Sequence, residues 1–283
     1  SVSAAVSSDG ALLAVGGGDK RVHLFDARTG GFVQAFPGHR DAVSALAFRD
    51  GTHTLLSGSL DRTVKLWSCD DRAYMDTLFG HQGEVLGLDM LRAERAVSVG
   101  ADRSCRVWKI PEESQLIYRY HGGPGSAPSV ECCKYITGTE WLSGASDGAV
   151  CLWTQLKRRP AHVVRRAHGP AAPGARVPAT VTPDVAGWIQ SVAACKGSDL
   201  VASGAGDGAI RLWSVTPSKA GGAGALEALG SLPARGFVNG LAIGRSAKVV
   251  VAAMGQEPRM GRWARDGGAR NGLLVHRLES KGM

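Results

Sequence analysis

The sequence predicts an all-β fold, a propeller of short four-stranded blades, with six blades visible and seven expected in the intact protein. Three observations predict it. A heptapeptide recurs six times, short runs of alternating hydrophobicity are divided by turn clusters, and glycine makes up 39 of 283 residues, about twice the usual share. The recurring segments are DKRVHLF (Asp19 to Phe25), DRTVKLW (Asp61 to Trp67), DRSCRVW (Asp102 to Trp108), DGAVCLW (Asp147 to Trp153), DGAIRLW (Asp207 to Trp213) and EPRMGRW (Glu257 to Trp263). In each, an acid stands six residues before an aromatic, and successive aromatics are 42, 41, 45, 60 and 50 residues apart. Gly38-His39, Gly80-His81, His121-Gly122 and His168-Gly169 stand before four of them.

The elements follow in chain order. The second repeat reads as four strands: AVSALAF (Ala42 to Phe48), TLLSGS (Thr54 to Ser59), TVKLW (Thr63 to Trp67) and YMDTLF (Tyr74 to Phe79). Each is short and rich in β-branched or aromatic residues at period two. Arg49-Asp50-Gly51 and Ser68-Cys69-Asp70-Asp71 are the turns between them. The same reading places blades at 1–38, 39–80, 81–120, 121–168, 187–234 and 235–279, within one domain spanning 1–283. The first repeat begins abruptly at its innermost strand, Val2 to Val6, so a seventh repeat is expected to precede it. Two insertions break the period. Gly169 to Ala186 carries four prolines and Pro217 to Ala228 is Gly/Ala-rich, so both read as loops.

The repeat resembles the WD-repeat family, whose period of about 40–45 residues makes four strands per blade. The resemblance implies a buried tetrad in each blade. The turn acid is coupled to the His, to a strand hydroxyl (Ser57, Ser143 and Ser203 are candidates) and to the Trp. Asp61, Trp67, His81, Asp102, Trp108, His121, Asp147, Trp153, Asp207 and Trp213 are therefore expected to have structural roles, with the Trp side chains packed between neighbouring sheets.

Composition narrows the function. The 44% hydrophobic share is too high for disorder, and no stretch approaches 18 uninterrupted apolar residues, so no transmembrane helix is expected. Ser1 follows no Met and no basic segment precedes an apolar one, so the chain reads as a fragment or processed product. Cys69, Cys105, Cys132, Cys133, Cys151 and Cys195 form no CxxC pair, and buried reduced thiols are expected. There is no P-loop and no HExxH, and Gly16-Gly17-Gly18 is followed by no helix. The acids are spread evenly through the repeats instead of converging on one site. The sequence thus predicts no enzymatic activity, no cofactor, no metal site, no small-molecule substrate and no membrane partner.

Basic clusters are the stronger signal, on a chain whose net charge is +8. Lys157, Arg158, Arg159, Arg165 and Arg166 fall within ten residues, Arg176 follows, and no acid occurs between Gln155 and Pro183. A second cluster is Arg259, Arg262, Arg265 and Arg270, opposed only by Asp266. Arginine forks match phosphate geometry, and a solvated blade edge is the plainer alternative. The acid turn and the Gly–His turn emerge on one face, where Arg40, Arg62 and Arg103 also fall, so that face is expected to be broadly positive.

Beyond the repeat, GHRDAVSALAFRDGTH (Gly38 to His53), DTLFGHQ (Asp76 to Gln82), VWKIPEESQL (Val107 to Leu116), WIQSVAA (Trp188 to Ala194), GFVNGL (Gly236 to Leu241) and GQEPRMGRWARDGGARN (Gly255 to Asn271) are similar to the U3 small nucleolar RNA-interacting WD-repeat proteins. That resemblance implies a nuclear, nucleolar ribonucleoprotein subunit. It implies binding to the box B/C region of U3 small nucleolar RNA, beside a kink-turn-binding protein and small-subunit processome proteins, in support of pre-ribosomal RNA processing. The RNA contacts are then expected at Arg259, Arg262, Arg265, Lys157, Arg158, Arg159, Arg165 and Arg166. The competing class is a WD-repeat protein-interaction scaffold that binds no RNA directly.

Overall fold

The computed structural model describes residues 3–123, 127–169, 187–216, 224–261 and 264–278. The chain forms two compact units, Ser1–Tyr120 and His121–Met283, each containing three blades. In the first unit the blades are β1 (Ser3–Val6) to β4 (Phe32–Phe36), with β2 (Leu12–Gly16) and β3 (Val22–Asp26) between; β5 (Val43–Phe48), β6 (Thr54–Ser59), β7 (Val64–Ser68) and β8 (Ala73–Leu78); and β9 (Val85–Met90), β10 (Arg95–Gly100), β11 (Ser104–Lys109) and β12 (Ser114–Arg119). In the second they are β13 (Val130–Tyr135), β14 (Glu140–Ala145), β15 (Val150–Thr154) and β16 (His162–Val164); β17 (Ser191–Ala194), β18 (Leu200–Gly204), β19 (Ala209–Thr216) and β20 (Ala225–Pro233); and β21 (Phe237–Ile243), β22 (Val249–Gly255) and β23 (Gly272–Arg277). Strands pair antiparallel in chain order within every sheet, as in the blades of a β-propeller. Among the described residues no helix is long and apolar enough to cross a membrane.

Burial follows position in the blade. The inner strand β9 is buried at all six positions, with β5 and β6 of the preceding blade packed against it. The outer strand β8 is exposed over its first four residues. Apolar clusters lie between consecutive blades. Trp108 joins Leu56, Val64 and Leu66 of the blade before it, and Trp213 joins Leu142, Val150 and Leu152 in the same way. Trp67 lies on Phe36 of the first blade, ring centroids 5.1 Å apart. Trp153 is fully buried and stacks on Trp141 at 6.1 Å. All six cysteines are buried and none forms a disulfide; burial pushes the Cys69 and Cys132 thiols up to about 12.

Close approach between blades depends on glycine at the end of the second strand. A Cβ at Gly58 would stand 2.6 Å from Val85 Cγ1, and one at Gly16 would stand 2.5 Å from Val43 Cγ1. In each case the β-branched residue that opens the next blade is seated over the glycine.

The structure corrects the reading in two places. EPRMGRW does not begin the third strand of the last blade. Residues 256–271 connect β22 to β23, and Arg262 and Trp263 lie outside the described residues. The stretch Pro217 to Ala228 is not all loop either: Ala225 to Ala228 opens β20, paired with the end of β19. Pro170 to Ala186 lies outside the described residues.

One turn recurs with a strained residue. After Asp19, Asp61 and Asp102, the positive-φ position is held by Lys20 (φ 66°), Arg62 (φ 71°) and Arg103 (φ 62°), where the fourth and fifth blades have Gly148 (φ 77°) and Gly208 (φ 88°). A non-glycine residue there costs about 1–2 kcal/mol, partly offset by glycine's greater freedom when unfolded. Arg103→Gly is therefore expected to raise the melting temperature by about 1–4 °C, measured by calorimetry.

Candidate nucleic-acid interface

The side chains that fix the candidate face form the same chain of hydrogen bonds in three blades. In the second blade, Trp67 Nε1 donates to Ser57 Oγ at 2.8 Å, Ser57 Oγ meets His39 Nε2 at 2.7 Å, and His39 Nδ1 meets Asp61 Oδ2 at 2.9 Å. The third blade repeats it with Trp108, Ser98, His81 and Asp102 at 2.8, 2.7 and 3.0 Å. The fifth has Trp213, Ser203, His168 and Asp207, each link 2.9 Å. One proton arrangement satisfies every atom: the indole N–H donates to the serine oxygen, the serine O–H to Nε2, and Nδ1–H to the carboxylate. The fourth blade keeps only part of the chain. Trp153 Nε1 donates to Ser143 Oγ at 2.8 Å, while His121 is exposed instead of buried.

This Ser–His–Asp order resembles that of a catalytic triad, but access differs. Ser57, Ser98 and Ser203 are 0% exposed and each Oγ already accepts an indole N–H, so no substrate reaches it. What the arrangement does is hold two turns together. Asp61 also accepts the Arg40 backbone N–H at 2.8 Å and the Thr63 N–H at 2.9 Å. Burial alone would raise the Asp61 carboxyl; His39, Thr63 and the Arg40 N–H outweigh that and hold it well below the usual range. Asp102 behaves alike, through His81, Ser104 and the Gln82 N–H. The carboxylate thus ties the acid turn to the Gly–His turn, and the two turns share one edge of the blade. Lys20, Arg40, Arg62 and Arg103 are exposed on that edge of the first unit.

The predicted basic run in the second unit is divided. Lys157, Arg158 and Arg159 are exposed in the turn between β15 and β16, at the blade end opposite the Asp147 turn. Arg165 and Arg166 are exposed after β16, at the end that leads into His168. Five cations that adjoin in sequence therefore point to two ends of a blade, because a three-residue strand, about 10 Å long, lies between them. Arg265 is exposed, with Nη2 3.3 Å from Gln256 Oε1. Arg259 is half-buried in a small cavity lined by Glu131, Trp188, Gln190, Pro258 and Met260. There burial pushes the Glu131 carboxyl up, against the Ser129 hydroxyl and the Arg259 charge. Arg259 thus stands near a buried carboxylate. Among the described residues no cluster of His, Cys, Asp and Glu is arranged to hold a metal ion.

The WD domain, G-beta repeat family matches residues 1–26, 30–68, 73–109 and 180–214. U3 snoRNP-associated protein-like EMB2271 of Arabidopsis thaliana is 46% identical over 278 residues, covering 98% of this chain and 56% of its own length. U3 small nucleolar RNA-interacting protein 2 of Homo sapiens is 43% identical over 273 residues, covering 96% and 54%. A solved structure, described as "Structure of U3-55K", superposes with a TM-score of 0.86 at 42% identity, covering 98% of this chain and 80% of that one. The chain belongs to the WD-repeat family. It spans about half the length of the curated relatives it matches.

Sequence reading missed several groups that shape this WD-repeat face. Ser98 completes the third blade's chain, and its signal was available, since it lies ten residues before Trp108 as Ser57 does before Trp67. Thr63 and Ser104 hydroxyls donate to Asp61 and Asp102 at 2.6 Å. Arg211 donates to Asp207 at 2.9 Å, adding a cation to the fifth blade's turn.

Proposed function

We propose that this chain is the propeller part of a U3 small nucleolar ribonucleoprotein subunit acting in ribosome biogenesis in the nucleolus. In this reading it forms one domain and contacts the box B/C region of U3 small nucleolar RNA, beside a kink-turn-binding protein and small-subunit processome proteins. The observation that carries the reading is 46% and 43% identity, across nearly the whole chain, to proteins named for U3 association. The exposed cations at Lys157, Arg158, Arg159, Arg165, Arg166 and Arg265 supply the phosphate-binding chemistry such a subunit needs.

The test compares the wild type with the triple variant Lys157→Glu, Arg158→Glu, Arg159→Glu and with the pair Arg165→Glu, Arg166→Glu. Binding of box B/C RNA, with its kink-turn protein present, is measured across a salt series. Each phosphate contact removed is expected to flatten the slope of log affinity against log salt by about 0.7 on single strands and 0.9 on duplex, with the melting temperature unmoved. Equal affinities and slopes for both variants would remove these cations from the interface. Arg259 is unsuited to this test, since reversal there would set a second carboxylate against Glu131. Association with U3 particles that survives RNase unchanged would favour a protein-only scaffold.

A further inference from the structure

In the first unit, the second and third blades enclose a cleft that the basic runs of the sequence do not mark. It measures about 390 Å³ and is lined by Gly38, Arg40, Asp61, Arg62, Thr63, Lys65, Phe79, Gly80 and His81. That volume lies in the range of small-ligand pockets. Phe79 is 72% exposed, more than any other Phe, Tyr or Trp among the described residues. A second cleft of about 290 Å³ also has Phe79 in its lining, with Trp108, Lys109 and Gln115. Phe79 thus borders two clefts.

The ring is open but its backbone is held. The Phe79 carbonyl accepts from Gln115 Nε2 at 3.2 Å. Two residues later His81 is locked into the chain through Ser98 and Trp108. A Cβ at Gly80 would stand 2.6 Å from Arg106 Nη1, so the segment is packed closely on the blade. A fixed backbone under an exposed ring is the arrangement of a stacking platform.

Three cations surround it. Arg40 and Arg62 are exposed, and Lys65 is half-buried, its Nζ 2.7 Å from Thr77 Oγ1 and 5.3 Å from the centre of the Tyr74 ring. The one carboxylate in the lining, Asp61, is already engaged by His39, Thr63 and the Arg40 N–H. Asp41, exposed beside Arg40, accepts the Ala42 N–H at 2.7 Å. Arg62 occupies a turn position, φ 71°, where other blades have glycine.

We propose that this cleft is a nucleotide-stacking site, in which Phe79 stacks one unstacked base of single-stranded RNA while Arg40, Arg62 and Lys65 hold the flanking phosphates. The assignment rests on the RNA-binding reading above and deepens it, because it names a strand form and a place. An aromatic face beside arginines and lysine is the chemistry that recognises unpaired RNA without reading a duplex. An acidic peptide would account for the cations and leave the exposed ring without a use.

The test measures fluorescence anisotropy of a labelled single-stranded RNA of about ten nucleotides, within the usual site sizes, against the whole chain. Phe79→Ala is expected to weaken binding about 5- to 100-fold, the range of one lost base stack, while Phe79→Trp keeps it. Arg62→Gly, which relieves the strained turn and so cannot fail by misfolding, is expected to weaken binding several-fold. It should also flatten the salt slope by about 0.7. Equal binding by Phe79→Ala and wild type would overturn the site. If the Lys157, Arg158, Arg159 reversal then still abolished RNA binding, the RNA-binding reading would stand without this cleft. A wild-type chain that bound no RNA would overturn both. A labelled Glu-rich peptide that bound as tightly, and equally in dependence on Phe79, would overturn the site in favour of a protein partner.

Discussion

Trp108→Ala is expected to lower the melting temperature by roughly 6–20 °C. The indole is 3% exposed and packs on Leu56, Val64 and Leu66 of the preceding blade. Emptying such a site costs about 3–5 kcal/mol, because the cavity adds to the lost transfer energy. For a chain of this size each kcal/mol moves the midpoint by about 2–4 °C. Ser98 also loses the indole N–H, which breaks one end of the chain that reaches Asp102. Circular dichroism melting would read the effect. An unchanged melt would mean that Trp108 is not between two sheets and that the blade register is wrong.

Asp102→Ala is the second large effect, an expected loss of about 2–5 kcal/mol. The carboxylate accepts from His81 Nδ1 at 3.0 Å, Ser104 Oγ at 2.6 Å and the Ser104 and Gln82 N–H groups at 3.1 and 2.9 Å. His81 and Ser104 are buried, so each loses a partner that water does not replace, at about 1–3 kcal/mol per group. The pH dependence has a definite sign. Asp61, Asp102 and Asp207 are held below the ordinary value in the folded state, so the unfolded chain binds protons first as pH falls. Their contribution is complete above about pH 5 and declines as pH drops through the unfolded value near 4 toward the folded values. Asp102→Ala should therefore lose less stability between about pH 4 and 2 than the wild type does. Identical acid profiles would show that Asp102 carries no such linkage. Because Asp102 and Trp108 end one hydrogen-bonded chain, the double variant is expected to lose less than the sum of the two.

These chains were legible through the resemblance to the WD-repeat family, while spacing gave the turns and strands that carry them. An acid six residues before an aromatic fixes a tight turn and a short strand, and strands β5 to β8 appear within a residue or two of the limits read from the sequence. Within the last blade, EPRMGRW was misread for a physical reason. β23 is exposed at four of its six positions, so nothing in packing demands an aromatic or a clear alternation there. EPRMGRW imitated the repeat in its spacing alone. The division of the basic run from Lys157 to Arg166 was not legible either: charge adjacency along a chain carries no information about a reversal of direction, and the short β16 separates its two halves. The nearness of Arg259 to Glu131 was not legible, because 128 positions separate them in sequence and only the fold brings them to one cavity. Phe79 was read as the end of a strand, and its exposure depends on the clefts that the neighbouring blade creates.

The glycine seats also set a schedule for synthesis. Gly16 is covered by Val43 and Gly58 by Val85, each 27 positions later, while Gly144 waits 45 positions for Ile189. A ribosome adding about 5–20 residues per second supplies the first two partners roughly 1–5 s after the glycine and the third after roughly 2–9 s. Until then the second strand of each of these three blades presents a bare notch, with its backbone open to any β-branched side chain nearby. The longest wait falls in the fourth blade, where residues 145–188 must be made before Ile189 arrives. Slow translation over that stretch is therefore where this chain is most exposed to pairing with the wrong neighbour.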